Sequence, residues 1–147
     1  MKLTAMRTVL LVGAAYFLIG IVFGARAGGA ATGQGRVMWR GAAWALSAAV
    51  FGGHILYERA RARGSARITA LHASSAAALG ALGLAIAANV HAHAVGTREH
   101  ALGLTLSLAI WPVMTALPAF LVALVAATLF DQIFGLPRPP VATGHDD

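Results

Sequence analysis

Four long runs of apolar residues constrain the fold of this chain more than any other feature. They cover about residues 8–24, 41–57, 68–95 and 102–130. A helix that crosses the hydrocarbon core of a bilayer needs about 20 predominantly apolar residues. The first two runs are near the lower limit, and the last two are long enough to tilt or to project beyond the core. We therefore expect a polytopic membrane protein with four transmembrane helices.

Composition and periodicity favour helices over strands in these runs. The chain is 59% hydrophobic and 11% charged, whereas a soluble domain carries about 25% charged residues. Lipid admits only α-helices and closed β-barrels, and these Ala- and Leu-rich runs lack the alternation of a strand. The expected fold is an all-α antiparallel bundle of four transmembrane helices over residues 1–134. Residues 135–147 contain three prolines and are expected to form a disordered cytoplasmic tail.

The first apolar run also has features of a secretory signal. Lys2 and Arg7 precede it, and Ala25, Arg26 and Ala27 match an A-x-A cleavage site. The apolar stretch is slightly long for a signal, and other apolar helices follow it. A retained first helix is therefore the favoured interpretation.

Basic residues predict the orientation of the helices, because cytoplasmic loops are enriched in Lys and Arg. The basic residues of one side are Lys2, Arg7, Arg59, Arg61, Arg63, Arg67 and Arg138. Those of the other side are Arg26, Arg36, Arg40 and Arg98. Both termini and the Arg-rich loop 58–67 are thus expected in the cytoplasm of a bacterium, with the loop arginines near lipid headgroups. No basic face with interleaved aromatic residues indicates nucleic-acid binding.

Small residues recur at every fourth position in the second and third runs, and they predict how these helices pack. The positions are Gly41, Ala45, Ala49 and Gly53 in the second run, and Ala73, Ala77, Ala81 and Ala85 in the third. A hairpin folded about Arg63 brings the two stripes to the same depth, and small residues allow helices to approach closely in lipid. We expect this to be the tightest helix pair, although a chain so rich in alanine also produces such stripes by chance.

Two prolines, Pro112 and Pro118, lie inside the fourth run. Each removes a backbone donor and crowds the preceding turn, so we expect a kinked helix. Proline is common in membrane helices, and this explanation is favoured over a functional hinge.

A candidate polar cluster, formed by His54, Glu58 and His72, lies at the predicted cytoplasmic ends of the second and third helices. Ionisable residues inside a membrane are costly and indicate function. His54 and Glu58 are four residues apart and can pair on one helix face. The register of the small residues predicts that His54 and His72 leave the hairpin on opposite sides. A haem between these two histidines would then need a ligand from another helix or protomer.

A second group of histidines, His91, His93 and His100, is the candidate metal or haem site at the opposite end. Zinc takes three or four suitably spaced ligands. His91 and His93 point roughly 200° apart on a helix, and His93 reaches His100 only if the chain bends near Gly96. Surface histidines at a helix end are the favoured interpretation, and the sequence identifies no cofactor.

The remaining chemistry of the chain does not indicate an enzyme. It has no cysteine, which excludes disulfides and thiolate nucleophiles. We find no nucleophile motif, no phosphate-binding glycine loop and no pair of intramembrane carboxylates, and the span centres carry few polar groups beyond hydroxyls. The prediction is a non-enzymatic accessory or structural subunit that contacts membrane lipids and packs against other membrane proteins or itself. The alternatives are a small haem- or metal-binding protein and an oligomeric transporter or channel.

Two stretches, "FGGHILYERARARGSARITALHASSAAALGALGLAIAANVHAHA" and "WPVMTALPAFLVALVAA", resemble small uncharacterised four-helix bacterial integral membrane proteins. The features that carry the resemblance are His54–Tyr57–Glu58, Leu71-His72, Asn89-Val90-His91 and the two prolines. It covers most of residues 1–130. It implies the same fold, and it implies no activity.

Overall fold

The computed structural model describes residues 3–62, 65–96 and 101–134, and this part of the chain is helical without a strand. The helices are α1 (Leu3–Gly28), α2 (Gly33–Ala62), α3 (Ala66–Ala94) and α4 (Ala101–Phe134). The prediction of an all-helical chain is therefore confirmed. The predicted tail, 135–147, lies outside the described residues.

Three of these helices, α1, α3 and α4, are long and apolar enough to cross a membrane. α2 does not reach the same hydropathy, although it is longer than α1. Arg36 and Arg40 occupy its first turns, and ionisable side chains recur from His54 onward. The longest stretch of α2 without an ionisable group is only residues 41–53, which explains why this helix differs from the other three.

Local capping signals set the ends of the helices. The Thr32 hydroxyl accepts a hydrogen bond from the Gly35 amide at 3.0 Å before α2. Ser65 precedes α3, and its hydroxyl accepts from the Ile68 amide, as an N-cap residue does. Gly96, with φ at 71°, follows α3 in the left-handed conformation that favours glycine. Because α2 extends to Ala62 and α3 begins at Ala66, the predicted Arg-rich loop is mostly helix.

α3 is the central helix of the described structure. Its most extensive contacts are with α4 and then with α1, whereas α2 packs mainly on α1 and much less on α3 and α4. A buried core joins Ile55 of α2 to alanines of α3 and α4. Its alanines are Ala70, Ala73, Ala123 and Ala127. Alanine at these positions lets the helix backbones approach closely, which is how helices associate in lipid.

At several glycines between α1 and α3 the two helices are so close that a side chain would have no room. A Cβ atom placed on Gly80 would lie 2.5 Å from the Tyr16 Cβ, and one on Gly13 would lie 2.9 Å from the Leu79 Cβ. Carbon atoms in contact are normally about 3.5–4.0 Å apart. Gly13 and Gly80 are therefore required by packing rather than by backbone conformation.

The predicted pairing of small residues between α2 and α3 is not the arrangement in the structure. The α2 positions, Gly41, Ala45, Ala49 and Gly53, are all exposed, and a Cβ on Gly41 or Gly53 would meet nothing within 4 Å. On α3, Ala73, Ala81 and Ala85 are buried and Ala77 is half-buried. α3 has small residues on several faces, so a single stripe of small residues does not determine which helix packs against it. The glycines of α1 admit a closer approach than the stripe of α2.

α4 continues as a helix through both Pro112 and Pro118. Pro112 is half-buried and Pro118 is exposed. Bulky apolar side chains around and beyond them, such as Leu117, Leu121 and Val125, are more than half exposed. Side chains of this kind suit contact with lipid tails.

Candidate functional site

Three polar side chains are buried near the end of α2. His54, Glu58 and Arg59 are 4%, 6% and 4% exposed, respectively. Buried charges are stable only when other groups pair with them. The groups that contact these three side chains therefore determine the role of this end of α2.

Glu58 is the centre of this group and contacts a histidine from each of two helices. Its carboxylate oxygens lie 2.8 and 3.0 Å from Nδ1 of His72 on α3. Nε2 of His54, one turn earlier on α2, lies 3.5 Å from the same carboxylate. Since an ionised carboxylate only accepts hydrogen bonds, Nδ1 of His72 carries the proton that it donates.

The structure brings His54, Glu58 and His72 together, whereas the prediction separated the two histidines. The register of the small residues predicts the two histidines on opposite sides of the hairpin, on the assumption that Gly53 faces Ala73. Gly53 is exposed instead, so α2 is rotated about its axis relative to that assumption. This rotation turns His54 and Glu58 inward, where His72 meets them.

His54 is the least satisfied member of this group. Its side chain is 1% exposed, and neither ring nitrogen has a hydrogen-bond partner among the described residues. The 3.5 Å separation from Glu58 is an electrostatic contact rather than a well-formed hydrogen bond. His54 therefore lies against a carboxylate that His72 holds more closely.

The environment of Glu58 keeps its carboxyl group ionised. Burial acts to raise the pKa of this group, which lies just beyond the predicted span 41–57, but the imidazoles of His54 and His72 act in the opposite direction. The pKa of Glu58 lies below its ordinary value of 4.5 as a result. A carboxylate held in this way is a poor proton donor, and it is well suited to joining two helices.

An ion pair joins α2 to α4 at the same end. Arg59 donates to Oδ1 of Asp131, whose side chain is 25% exposed. The sequence predicts Arg59 near lipid headgroups, whereas this side chain is buried in the structure. The two acidic residues among those the structure describes, Glu58 and Asp131, are thus each paired with basic side chains.

These five residues, His54, Glu58, Arg59, His72 and Asp131, are called the polar cluster below. The cluster lies beside the alanine core, since Ile55 of that core is adjacent to His54 in sequence. Two neighbouring arginines that the structure describes, Arg61 and Arg67, are exposed, unlike the buried Arg59. Arg61 stacks on the Tyr57 ring at 5.6 Å, Arg67 is exposed in the first turn of α3, and Arg63 lies outside the described residues.

The histidines at the other end of α3 do not form a comparable group. His91 and His93 are exposed, and His100 lies outside the described residues. Within residues 3–62, 65–96 and 101–134, no three His, Cys, Asp or Glu side chains are arranged to hold a metal ion. The polar contact at this end comes from Asn89, whose amide donates to the carbonyl oxygens of Ala85 and Leu104, both at 2.8 Å.

The polar cluster thus connects α2, α3 and α4 through side chains that pair with one another. Sequence spacing indicated one of its contacts, between His54 and Glu58, and missed Arg59 and Asp131. The signal for the second pair was the presence of one acidic residue in α4, which a membrane helix retains only with a partner. No protein-family model, curated protein or solved structure matches this chain.

Proposed function

We propose that this chain is a non-enzymatic polytopic membrane protein that serves as an accessory or structural subunit. The observation that carries the proposal is the outer face of α2, formed by Gly41, Ala45, Ala49 and Gly53. These residues are exposed, and the glycines at both ends have open space where a side chain would be. The partner is another membrane protein or a second copy of this chain.

The physical reason is the way in which helices associate in lipid. Lipid tails are as apolar as leucine, so close packing of backbones replaces the hydrophobic effect. The outer face of α2 allows such packing and finds no partner within the described chain. The polar cluster supports the proposal, because it ties the end of α2 to α3 and α4 and so holds this face outward.

The proposal includes a four-span topology in the bacterial inner membrane, with α2 as a span and both termini in the cytoplasm. Excess arginine at the α2–α3 end supports this orientation.

The helices form an antiparallel bundle, and two contacts of α3 with α4 support this. Asn89 bonds Leu104 near one end, and Ala73 packs with Ala127 near the other. A kink in α4 at Pro112 and Pro118 follows from the two missing backbone donors. Membership among the small four-helix proteins that the sequence resembles is part of the same proposal.

A double substitution on the outer face of α2 tests this function. Ala45→Leu with Ala49→Leu adds bulk where a partner helix would approach, without crowding the chain itself. We expect the native mass of the complex in mild detergent to fall to that of the solitary chain, with helicity unchanged. The matched control, Ala14→Leu with Ala109→Leu, adds the same bulk at exposed positions of α1 and α4 and should leave the complex intact.

The same purified protein also tests the two alternative functions, a haem- or metal-binding protein and an oligomeric transporter or channel. A wild-type protein that is strictly monomeric, or a complex that survives the double substitution, would overturn the accessory role. A haem absorption band or a stoichiometric metal would favour a site at His54 and His72, or at His91, His93 and His100. Ion or solute flux into liposomes that contain the purified protein would favour an oligomeric transporter or channel.

A further inference from the structure

A groove of about 520 Å³ lies between the second half of α1 and the first half of α2. It is on a different part of the molecule from the polar cluster, near the α1–α2 turn. Its walls combine small or aromatic residues with two arginines. They include Gly20, Gly24, Arg36, Arg40 and Trp44.

Two arginines supply the charge of the groove. Arg36 and Arg40 are four residues apart on α2, so their side chains share one helix face. The acidic residues of the described chain, Glu58 and Asp131, belong to the polar cluster at the other end of α2. The third arginine of this region, Arg26, lies over the Trp39 ring at 5.8 Å. The groove therefore presents two positive charges that no described carboxylate neutralises.

The remaining walls of the groove are apolar and extend toward the middle of the helices. Gly20 lies roughly 12 Å along α1 from the end of the helix, and Trp44 lies one turn beyond Arg40. The floor at Gly24 is open, since a Cβ there would meet nothing within 4 Å. The groove thus has an apolar wall on α1 and a wall on α2 that carries the two arginines and ends at Trp44.

We propose that the groove binds an anionic phospholipid. The phosphate lies between Arg36 and Arg40, and an acyl chain follows Gly24 and Gly20 toward Trp44. Charge complementarity selects an anionic ligand, because a neutral or cationic one would leave the arginines without a counterion. The apolar wall selects a lipid over a small soluble anion, which would contact the arginines alone. This site is independent of the outer face of α2, and its existence does not depend on the proposed accessory role.

Lipid exchange on the full-length purified protein tests this assignment. The protein is placed in nanodiscs of phosphatidylcholine with a minor fraction of phosphatidylglycerol, and the lipids that remain bound are identified by native mass spectrometry. We expect the wild-type protein to retain phosphatidylglycerol selectively. Arg36→Gln with Arg40→Gln should weaken that retention on the order of 10- to 30-fold, because each basic residue near a headgroup contributes a several-fold factor.

A second variant examines the apolar wall of the groove. Gly24→Leu places a bulky side chain in the groove, and its Cβ would meet no atom within 4 Å. We expect this variant to lower phosphatidylglycerol retention although both arginines remain. The matched controls are Arg7→Gln, which removes an exposed arginine elsewhere, and Gly103→Leu, which adds the same side chain at an open position of α4. Both controls should retain lipid as the wild-type protein does. Circular dichroism confirms that every variant is folded.

Three results would overturn the proposal. The first is equal retention of phosphatidylcholine and phosphatidylglycerol by the wild-type protein. The second is unchanged retention in both groove variants. The third is displacement of the bound lipid by millimolar inorganic phosphate, since that result would assign the arginines to a small anion rather than to a phospholipid.

Discussion

At the scale of single residues, the carboxylate of Glu58 determines how the end of α2 is held. It accepts hydrogen bonds from His72 and lies against His54. A hydrogen bond to a charged group contributes about 1.5–3 kcal/mol. Its loss here would also leave His72 without its acceptor.

We predict that Glu58→Gln destabilises the protein near neutral pH and that this difference fades in acid. Because the pKa of folded Glu58 is below its ordinary value of 4.5, its contribution to stability is complete above pH 4.5. It is lost as the pH falls through the lowered pKa of the folded protein. Thermal unfolding in detergent at several pH values measures the difference between the two proteins.

The control for this experiment is His93→Ala, which removes an exposed titratable side chain at the other end of α3. It should unfold like the wild-type protein throughout the pH range. A destabilisation by Glu58→Gln that stays constant down to pH 3 would contradict the prediction, since Glu58 would then not act as an anion.

Single residues also show where prediction from sequence succeeds and where it stops. The contact of His54 with Glu58 follows from their spacing on one helix, which is a local property. The contact of Glu58 with His72 depends on how α2 is rotated against α3. That rotation is decided by packing along the whole helix, and the small-residue stripe gave the wrong orientation.

At the scale of helices, the contact of α1 with α3 depends on glycines that the sequence analysis did not select. We predict that Gly80→Ala destabilises the protein by about 1–3 kcal/mol, the usual cost of overpacking. The added Cβ would lie 2.5 Å from the Cβ of Tyr16, which is attached to the backbone and has no freedom to swing away. Thermal or denaturant unfolding in detergent measures the change.

Gly24→Ala is the matched control on α1, because the same added methyl group meets nothing within 4 Å. Alanine is also the better helix former by roughly 1 kcal/mol, so the control should be neutral or slightly more stable. Equal effects of the two substitutions would contradict the packing argument, because they would reflect helix propensity alone.

Helix packing was harder to predict than helix positions for a physical reason. The apolar runs mark the helices because lipid excludes polar side chains, and this constraint applies to every residue of a run. Partner choice depends instead on close approach at a few positions. In a chain with 17 glycines and many alanines, several faces satisfy that requirement, so Gly13 and Gly80 do not stand out.

At the scale of the whole molecule, α2 decides how many times the chain crosses the membrane. It is less apolar than α1, α3 and α4, yet its polar residues have suitable positions for a span. Arg40 and Glu58 are about 27 Å apart along the helix axis, close to the hydrocarbon thickness of about 30 Å. Arginines at one end can extend toward headgroups. At the other end, the side chains of the polar cluster pair with one another.

We therefore predict that the α1–α2 turn and the end of α2 lie on opposite sides of the membrane. The chain has no cysteine, so Ala31→Cys and Ala60→Cys each introduce a single thiol at an exposed position. A membrane-impermeant maleimide should label Ala31→Cys in intact spheroplasts and Ala60→Cys only after lysis. Denaturing detergent provides the control for total reactivity. Labelling of both thiols from the same side would remove α2 as a span, and the outer face of α2 would then no longer be available to a partner helix within the bilayer.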